Sequence, residues 1–557
     1  MRRLRSAFCL TTRPLFAYLF LAALAASAER AGAADRDLVF DDGAVGEIRA
    51  TMDAEDLDWL LDPDHADNND YLPATVRFHN PHFDEEFPGG GIRLRGNYGR
   101  QAEKKSFKLA LDRSDPGADL AGIDRLNLIG EHNDPCIIRE KLVLDAYRTL
   151  GVPATRAAHV RFYLNGEYRG LYILVEEADH KFLQEHFGSA AGNLYQCRYV
   201  DEQNRADLVY RPAEDYELLG TPDERVYELE GDRRSDSFDD LAELIDVLNN
   251  TPDGELAEEL EEIFNVAGFL RCLAVDVLAG SWDSYWGGCN NYFLFHNPVE
   301  RRFEFIPRDC DMTFGINSIN SLDYGQVNVY RFGRYDLRVP LVYRLLEEER
   351  YRNLFTHFLE EVLEGPFDPD TFRDHAEELR VRIRPAALAD TYRTRDFSYI
   401  DAGAFDRGFE EALGGHCPYG LYPYMETRAE SAPDQMGFVS APPAVWDLLA
   451  PRFVAIDDDF PIDVEAFDSS GITQVKAWVD RGSGFTSHML YDDGRHGDGA
   501  AADGRFGASV AGAPPGTEIE LYVEARDAGG HTTRSPLEAP EDARSLVVLR
   551  DGLLVLN

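Results

Sequence analysis

The sequence predicts an α+β domain followed by a separate all-β domain. Three observations carry this expectation. Strand-patterned runs before residue 111 lead into one well-punctuated helix and then a hairpin, an apolar helix and two further strands occupy the middle, and beyond residue 443 only short alternating strands remain. A length of 557 residues accommodates two to four domains at roughly 100 to 200 residues each. With 44% hydrophobic residues the chain can bury substantial cores, which excludes a wholly disordered protein.

Residues 1–33 read as an export signal, with Arg2, Arg3 and Arg5 ahead of the apolar run Leu15–Ala26 and small-residue cleavage sites at Ala26-Ser27-Ala28 or Ala31-Gly32-Ala33. The run is short for a membrane span of about 20 residues, and no later segment could cross a bilayer. The reading is therefore an exported chain, extracellular, periplasmic or on the cell surface, whose mature form starts near Glu29 or Ala34.

From Asp37 to Leu111 the pattern is mostly β, with an acidic helix at Ala54–Leu61 and strands at Thr75–Phe78, Ile92–Arg95 and Ser106–Leu111. A helix follows: Asp134 can cap it, Pro135 suits its first position, Ile138, Leu142 and Ala146 form a face, and Gly151 with Pro153 ends it. Val160–Leu164 and Tyr168–Val175 flank Asn165-Gly166, the strongest short hairpin signal. Residues 214–262 are acidic and helical or loop-like, and Phe264–Ala279 is an apolar helix. Strands Tyr292–His296 and Phe303–Pro307 lead to Asp309 and Asp311, and helices follow at Leu341–Leu363 and Pro369–Tyr392. The domains are therefore 1–33 signal, 34–430 mixed domain, 431–443 linker and 444–557 β-sandwich, the last with strands Ile462–Phe467, Thr473–Val479, Thr517–Ala525 and Ser545–Leu549.

The balance of 56 Lys+Arg against 101 Asp+Glu gives a formal net charge of -45. A surface so negative repels a phosphate backbone, which excludes general nucleic-acid binding. Only six residues are lysine, and Lys104, Lys105 and Lys108 fall within one five-residue stretch. Six cysteines lie beyond the signal, without a CxxC pair or zinc-ligand spacing, so disulfides are permitted but the core must supply the stability.

Candidate chemistry clusters in the middle. Asp283 and Asn291 lie eight residues apart, between the apolar helix and a strand, and Asp309 and Asp311 follow the next strand. Such hard oxygen donors suit Mg²⁺ while leaving places for phosphate and water, although turn capping explains the same residues structurally. Upstream, a glycine-containing turn from Arg95 runs into the lysine-bearing strand, where backbone N–H groups and an ammonium could neutralise phosphate; the structural alternative is a guarded edge strand. Walker, HExxH, GxSxG and GxGxxG motifs are absent from the sequence.

Several blocks together resemble the spore-coat CotH family of atypical, secretory-pathway-like protein kinases: Arg93-Leu94-Arg95-Gly96-Asn97, Lys104-Lys105-Ser106-Phe107-Lys108, Asn165-Gly166-Glu167-Tyr168-Arg169-Gly170-Leu171-Tyr172, Trp282-Asp283-Ser284-Tyr285, Asn291-Tyr292 and Phe305-Ile306-Pro307-Arg308-Asp309-Cys310-Asp311. The resemblance covers about residues 38–430 and implies a two-lobed kinase-like fold binding ATP and Mg²⁺ or Mn²⁺. It makes Lys105, or else Lys108, the phosphate-binding lysine, with Arg95, Glu140 and Glu176 beside the nucleotide. It makes Asp283 the catalytic aspartate, Asn291 and Asp309 the metal ligands, and Asp311 a supporting ligand. Arg308 departs from the family, which usually has tryptophan there. Strand alternation favours Lys105, because it shares a face with Phe107 and Leu109 and would stand beside Glu140 or Glu176.

The leading expectation is an exported kinase-like enzyme that phosphorylates Ser or Thr of a secreted or cell-surface protein. The alternative is a catalytically inactive scaffold in a surface or coat assembly, whose immunoglobulin- or fibronectin-like sandwich binds a partner. A carbohydrate-active protein using two of its acids has only the accessory sandwich behind it. In that sandwich, Asp493, Asp498 and Asp503 interleave with glycines and offer a possible Ca²⁺ site, with a solvated turn as the structural alternative.

Overall fold

The structure, a computed structural model, describes residues 35–131, 133–211, 216–221, 224–231, 237–316, 322–333, 339–392, 404–410, 416–451, 453–454 and 459–548. The expected export signal lies outside these residues, and among them no helix is long and apolar enough to cross a membrane. The chain forms two compact units that divide between Ser440 and Ala441.

The first unit is α+β. Its main sheet has nine strands: β1 (Gly46–Thr51), β2 (Leu72–Pro73), β3 (Thr75–His79), β4 (Asp84–Phe87), β5 (Gly91–Leu94), β6 (Phe107–Ala110), β7 (Arg125–Ile129), β8 (Ala157–Leu164) and β9 (Glu167–Val175). They lie in the order β2-β5-β6-β7-β9-β8-β1-β3-β4, antiparallel except for β1 against β8. The expected hairpin joins β8 to β9 through Asn165 and Gly166, both at positive φ, as a tight primed turn demands. One face carries a continuous core of Ile92, Phe107, Leu109, Leu126, Leu128, Phe162 and Leu174, closed by Leu60 of helix α1 (Ala54–Leu61). On the other face Arg93, Lys108, Asn127 and Val175 stand in one row across β5, β6, β7 and β9.

Helix α2 (Arg139–Thr149) starts later than the sequence suggests, because Ile137 takes a left-handed backbone (φ 59°). Asp134 still acts as the cap: its carboxylate accepts the N–H groups of Cys136 (2.8 Å), Ile138 (2.7 Å) and Arg139 (2.9 Å) and pairs with the buried Arg139 guanidinium. After α3 (His180–Phe187), a smaller sheet takes the order β11-β10-β12-β13 from β10 (Leu194–Cys197), β11 (Tyr227–Leu229), β12 (Tyr292–Asn297) and β13 (Arg302–Pro307). Between β11 and β12 come α4 (Asp239–Asn250), α5 (Leu256–Ile263), the almost wholly buried α6 (Val266–Ala279) and the short α7 (Tyr285–Gly288). The helix expected over 341–363 is two, α8 (Pro340–Glu347) and α9 (Glu349–Glu364), because Glu348 adopts an extended conformation. Helix α10 (Pro369–Ala389), a ribbon of β14 (Phe409–Glu410) with β15 (His416–Cys417), and α11 (Leu421–Ser431) complete the unit.

Asp390, at the end of α10, explains two residues of the sequence motifs. Its buried carboxylate pairs with Lys104 at 2.8 Å and accepts the N–H groups of Leu171 (3.1 Å) and Tyr392 (3.0 Å). Gly170 (φ +123°) makes room for it, since a Cβ there would lie 2.4 Å from that carboxylate.

The second unit is all β. One sheet has β16 (Ala444–Leu449), β18 (Phe460–Phe467) and β21 (Arg505–Val510); the other has β17 (Phe453–Val454), β19 (Ile472–Asp480), β20 (Thr486–Leu490), β22 (Glu518–Asp527), β23 (Thr532–Ser535) and β24 (Arg544–Val548). Phe460, Ile462, Val464 and Val510 of the first share one core with Val475, Val479, Leu521, Val523 and Leu546 of the second. The expected linker is partly structured: Val439 exchanges hydrogen bonds with Asn353 (3.0 and 2.8 Å), and Gln435 accepts the N–H of Val329 at 2.8 Å. The acids proposed for Ca²⁺ are occupied by their own loop. Asp498 accepts N–H groups from Asp493, Gly494 (2.7 Å) and His496 (2.8 Å), and Asp503 accepts those of Ala500 (2.8 Å) and Arg505 (3.0 Å). Asp493 takes the N–H of Arg495 at 3.1 Å and lies 2.8 Å from the His496 ring.

Candidate active site

The three clustered lysines have three different environments. Lys104 is the buried partner of Asp390 described above. Lys105 donates to the carbonyl of Arg100 at 2.8 Å, and burial without a carboxylate partner lowers its pKa. Lys108 pairs with Glu177 at 2.8 Å. Strand alternation does not reach Lys105, because β6 begins only at Phe107 and the residues before it do not follow the strand's two-residue period. Glu176, expected beside the lysine, instead binds Arg156 at 2.8 Å.

Glu177 was not singled out in the sequence, and the register explains its place. It follows Val175, the end of the row containing Lys108 and Asn127, and two residues along an extended chain return to the same face. Asn127 also donates to its carboxylate at 2.8 Å. Burial would raise the Glu177 pKa, but Lys108 and Arg95 overcome this and hold it down to about 2.

The second half of the site is acidic. Helix α6 ends at Gly280 in a left-handed cap, and the loop beyond it carries Asp283. Asp276, inside α6, accepts the Tyr147 hydroxyl of α2 at 2.6 Å and is also held by Ser281 and Ser284, which flank Asp283. Asp276 thereby braces the Asp283 loop against the helix that bears Glu140. Asn291 donates to Asp283 Oδ2 at 3.1 Å and to its backbone carbonyl at 3.1 Å. That commitment leaves the amide oxygen of Asn291 as the group available to a cation. Asn290 reaches Asp283 Oδ1 at 3.4 Å and accepts the N–H of Tyr199 at 2.9 Å.

Asp309 follows β13, is open to solvent, and lies near enough to act on the other acids. Burial and then Asp309 push Asp283 up to about 7, against the pull of Asn290 and Asn291. Glu140 is likewise pushed up to about 7 by burial and Asp309, with Arg95 opposing. Asp311 is raised well above its ordinary value by burial, then by Asp309, Glu140 and Asp283. Glu131, another acid not foreseen, is raised by burial and by Glu140. Crowding of like charges on this scale is what a bound cation relieves. Among the described residues, however, no three His, Cys, Asp or Glu side chains converge closely enough to hold a metal alone. Carboxylate and amide oxygens are hard donors of the kind that Mg²⁺ takes one or two at a time, with phosphate and water completing its shell.

Four residues here take left-handed backbone without being glycine: Glu131 (φ 51°), Cys289 (φ 54°), Asn291 (φ 57°) and Asp309 (φ 54°). Such conformations, at order 1 kcal/mol or more each, persist where surrounding contacts over-determine them. The six described cysteines are buried thiols outside any disulfide, so they serve the core.

The fold and site define an α+β unit in which a lysine–glutamate pair is electrostatically linked, through Arg95, to a cluster of acids and amides. The chain belongs to the CotH family: residues 92–416 match the family model described as CotH kinase protein. It is 26% identical over 338 residues to inner spore coat protein H of Bacillus subtilis (strain 168), covering 60% of this chain and 86% of that protein. It is 24% identical over 252 residues to invasin CotH2 of Rhizopus delemar (44% and 41% covered) and 22% identical over 391 residues to spore coat protein homolog 1 of the same fungus (68% and 60% covered). The chain thus spans most of the bacterial relative but less than two thirds of the fungal ones.

Proposed function

We propose that this protein is an exported protein kinase that transfers the γ-phosphoryl group of ATP to Ser or Thr hydroxyls of secreted or surface proteins. The observation that carries this is the Lys108–Glu177 pair linked through Arg95 to the crowded acids Asp283, Asp309, Asp311 and Glu140 in a member of the CotH family. Phosphoryl transfer needs mainly positioning and charge neutralisation, and these residues form a sufficient kit. Lys108, held by Glu177, neutralises phosphate oxygens together with Arg95. Lys105, tied to a backbone carbonyl, is the weaker candidate. Asn291 and Asp309, with Asp311 in support, would hold Mg²⁺ or Mn²⁺, which supplies charge neutralisation for the nucleotide. Asp283, whose carboxyl is raised toward neutrality, accepts the proton of the attacking hydroxyl.

The names of the relatives, a spore coat protein and an invasin, favour a second reading in which the unit is an inactive scaffold and an immunoglobulin-like C-terminal sandwich binds a surface partner. Labelled ATP, Mg²⁺ or Mn²⁺, and generic acceptor proteins separate the two. Incorporation by the wild type, falling about 10²-fold or more in Asp283→Asn, supports the kinase. Equal labelling by both proteins removes Asp283 from the mechanism, and no labelling by either favours the scaffold.

A further inference from the structure

The end of the smaller sheet nearest Asp283 carries two arginines, Arg198 and Arg308, that the nucleotide and metal roles do not use, one on either side of Asn291. Cys197 of β10 pairs with Tyr292 of β12, and Tyr292 pairs with Pro307 of β13, so the next residues, Arg198, Asn291 and Arg308, emerge side by side. The N–H of Arg308 donates to the carbonyl of Asn291 at 3.1 Å, which fixes this placement. The Arg308 guanidinium lies over the Phe293 ring, 5.0 Å from its centroid, a support that holds the fork flat. Arg198 is braced by Gln196 and by Glu228 at 2.7 Å. Arg95 approaches from the end of β5, close enough for its charge to act on both Arg308 and Glu140.

Among the described residues, the side chains of Arg95 and Arg308 are engaged by no ion pair or hydrogen bond, and Arg308 is only partly buried. In a chain of 101 acidic against 56 basic residues, carboxylate partners are abundant. Asp309 and Glu230 lie near enough to act on Arg308, and Glu177 and Glu140 near enough to feel Arg95, yet neither guanidinium is paired with one of them, which leaves both forks open to an oxyanion. We infer that Arg308, with Arg198 and Arg95, forms a subsite for a phosphoryl oxyanion, carried either by the nucleotide tail or by a phosphate already present on the acceptor. This deepens the kinase reading, on which the source of the phosphate rests; anion binding itself can be measured without transfer.

The test is calorimetric titration of the full chain with inorganic tripolyphosphate, in a chelator and at low salt, comparing wild type with Arg308→Gln and, independently, Arg95→Gln, all checked for unchanged melting. Binding by the wild type that weakens about tenfold or more in Arg308→Gln, the scale of a lost charge-assisted contact, supports the subsite. Absence of tripolyphosphate binding by the wild type, or equal binding by the wild type and folded Arg308→Gln whatever Arg95→Gln does, overturns it. Parallel titrations with ATP, adenosine and a phosphoserine peptide identify the source: loss with ATP alone assigns the nucleotide tail, and loss with the peptide alone assigns the acceptor. Tripolyphosphate binding without transfer would sink only the kinase reading, whereas transfer with unaltered binding in both variants would sink only this inference.

Discussion

Asp283→Asn is expected to stabilise the protein above neutral pH while disabling it. The Asp283 carboxyl is pushed up from 3.8 to about 7 by burial and by Asp309. Between about pH 4 and 7 the unfolded chain has lost this proton while the folded chain keeps it, so each rise in pH favours unfolding, and the deficit is complete above about 7. A shift of roughly 3 units at about 1.4 kcal/mol each sets a ceiling near 4 kcal/mol. Asparagine removes that deficit but can accept from only one of Asn290 and Asn291, which costs about 1–2 kcal/mol. The net gain at pH 8 is then of order 2 kcal/mol, vanishing or reversing at pH 4. Urea unfolding of both proteins from pH 4 to 8, in a chelator, measures the difference directly. Saturating Mg²⁺ with ADP should narrow it, since a neighbouring cation relieves the same repulsion. A variant less stable by a constant amount at every pH would refute the electrostatic account.

The three lysines should separate in one experiment combining urea midpoints with transfer assays. Lys104→Met leaves Asp390 buried and unpaired and loses about 3 kcal/mol; Lys105→Ala changes stability by about 1 kcal/mol or less and leaves transfer nearly intact; Lys108→Ala lowers transfer by about 10²-fold or more. Gly170→Ala should match Lys104→Met or exceed it, because its Cβ meets the Asp390 carboxylate at 2.4 Å; a melting curve identical to wild type would contradict that packing. In the second unit, burial disfavours the charge of Asp498, but backbone donors from Gly494, His496 and Asp493 hold its pKa down to about 2. Its contribution is therefore full above about pH 4 and fades as pH falls toward 2, and Asp498→Ala should flatten that part of the acid-unfolding profile. Limited proteolysis of the full chain is expected to cut near Ser440, not within the hydrogen-bonded stretch ending at Val439.

Elements with a strong local signal were legible in the sequence. Ala54–Leu61 has its expected bounds, and Asn165-Gly166 forms the expected hairpin. Asp283, Asn291 and Asp309, expected to act together, share one electrostatic environment. What could not be read was set by register and by long-range pairing. Glu177 was missed because only the alignment of Lys108, Asn127 and Val175 across three strands brings it to the lysine. Lys105 lies two residues ahead of the strand, beyond the reach of its alternation. Glu131 is a lone acid in a loop, and only the fold sets it against Glu140.

The pairing of Lys104 with Asp390 also orders the protein's biosynthesis. The backbone of Leu171 must wait for a partner 219 residues further along the chain. At elongation rates of about 5–20 residues per second, the interval is roughly 10–40 s. Throughout it the sheet holds the Lys104 ammonium without its counter-ion, so this pairing is completed only once the end of α10 has been made. If the chain is exported as proposed, that delay leaves this pairing open until almost the whole first unit has been synthesised.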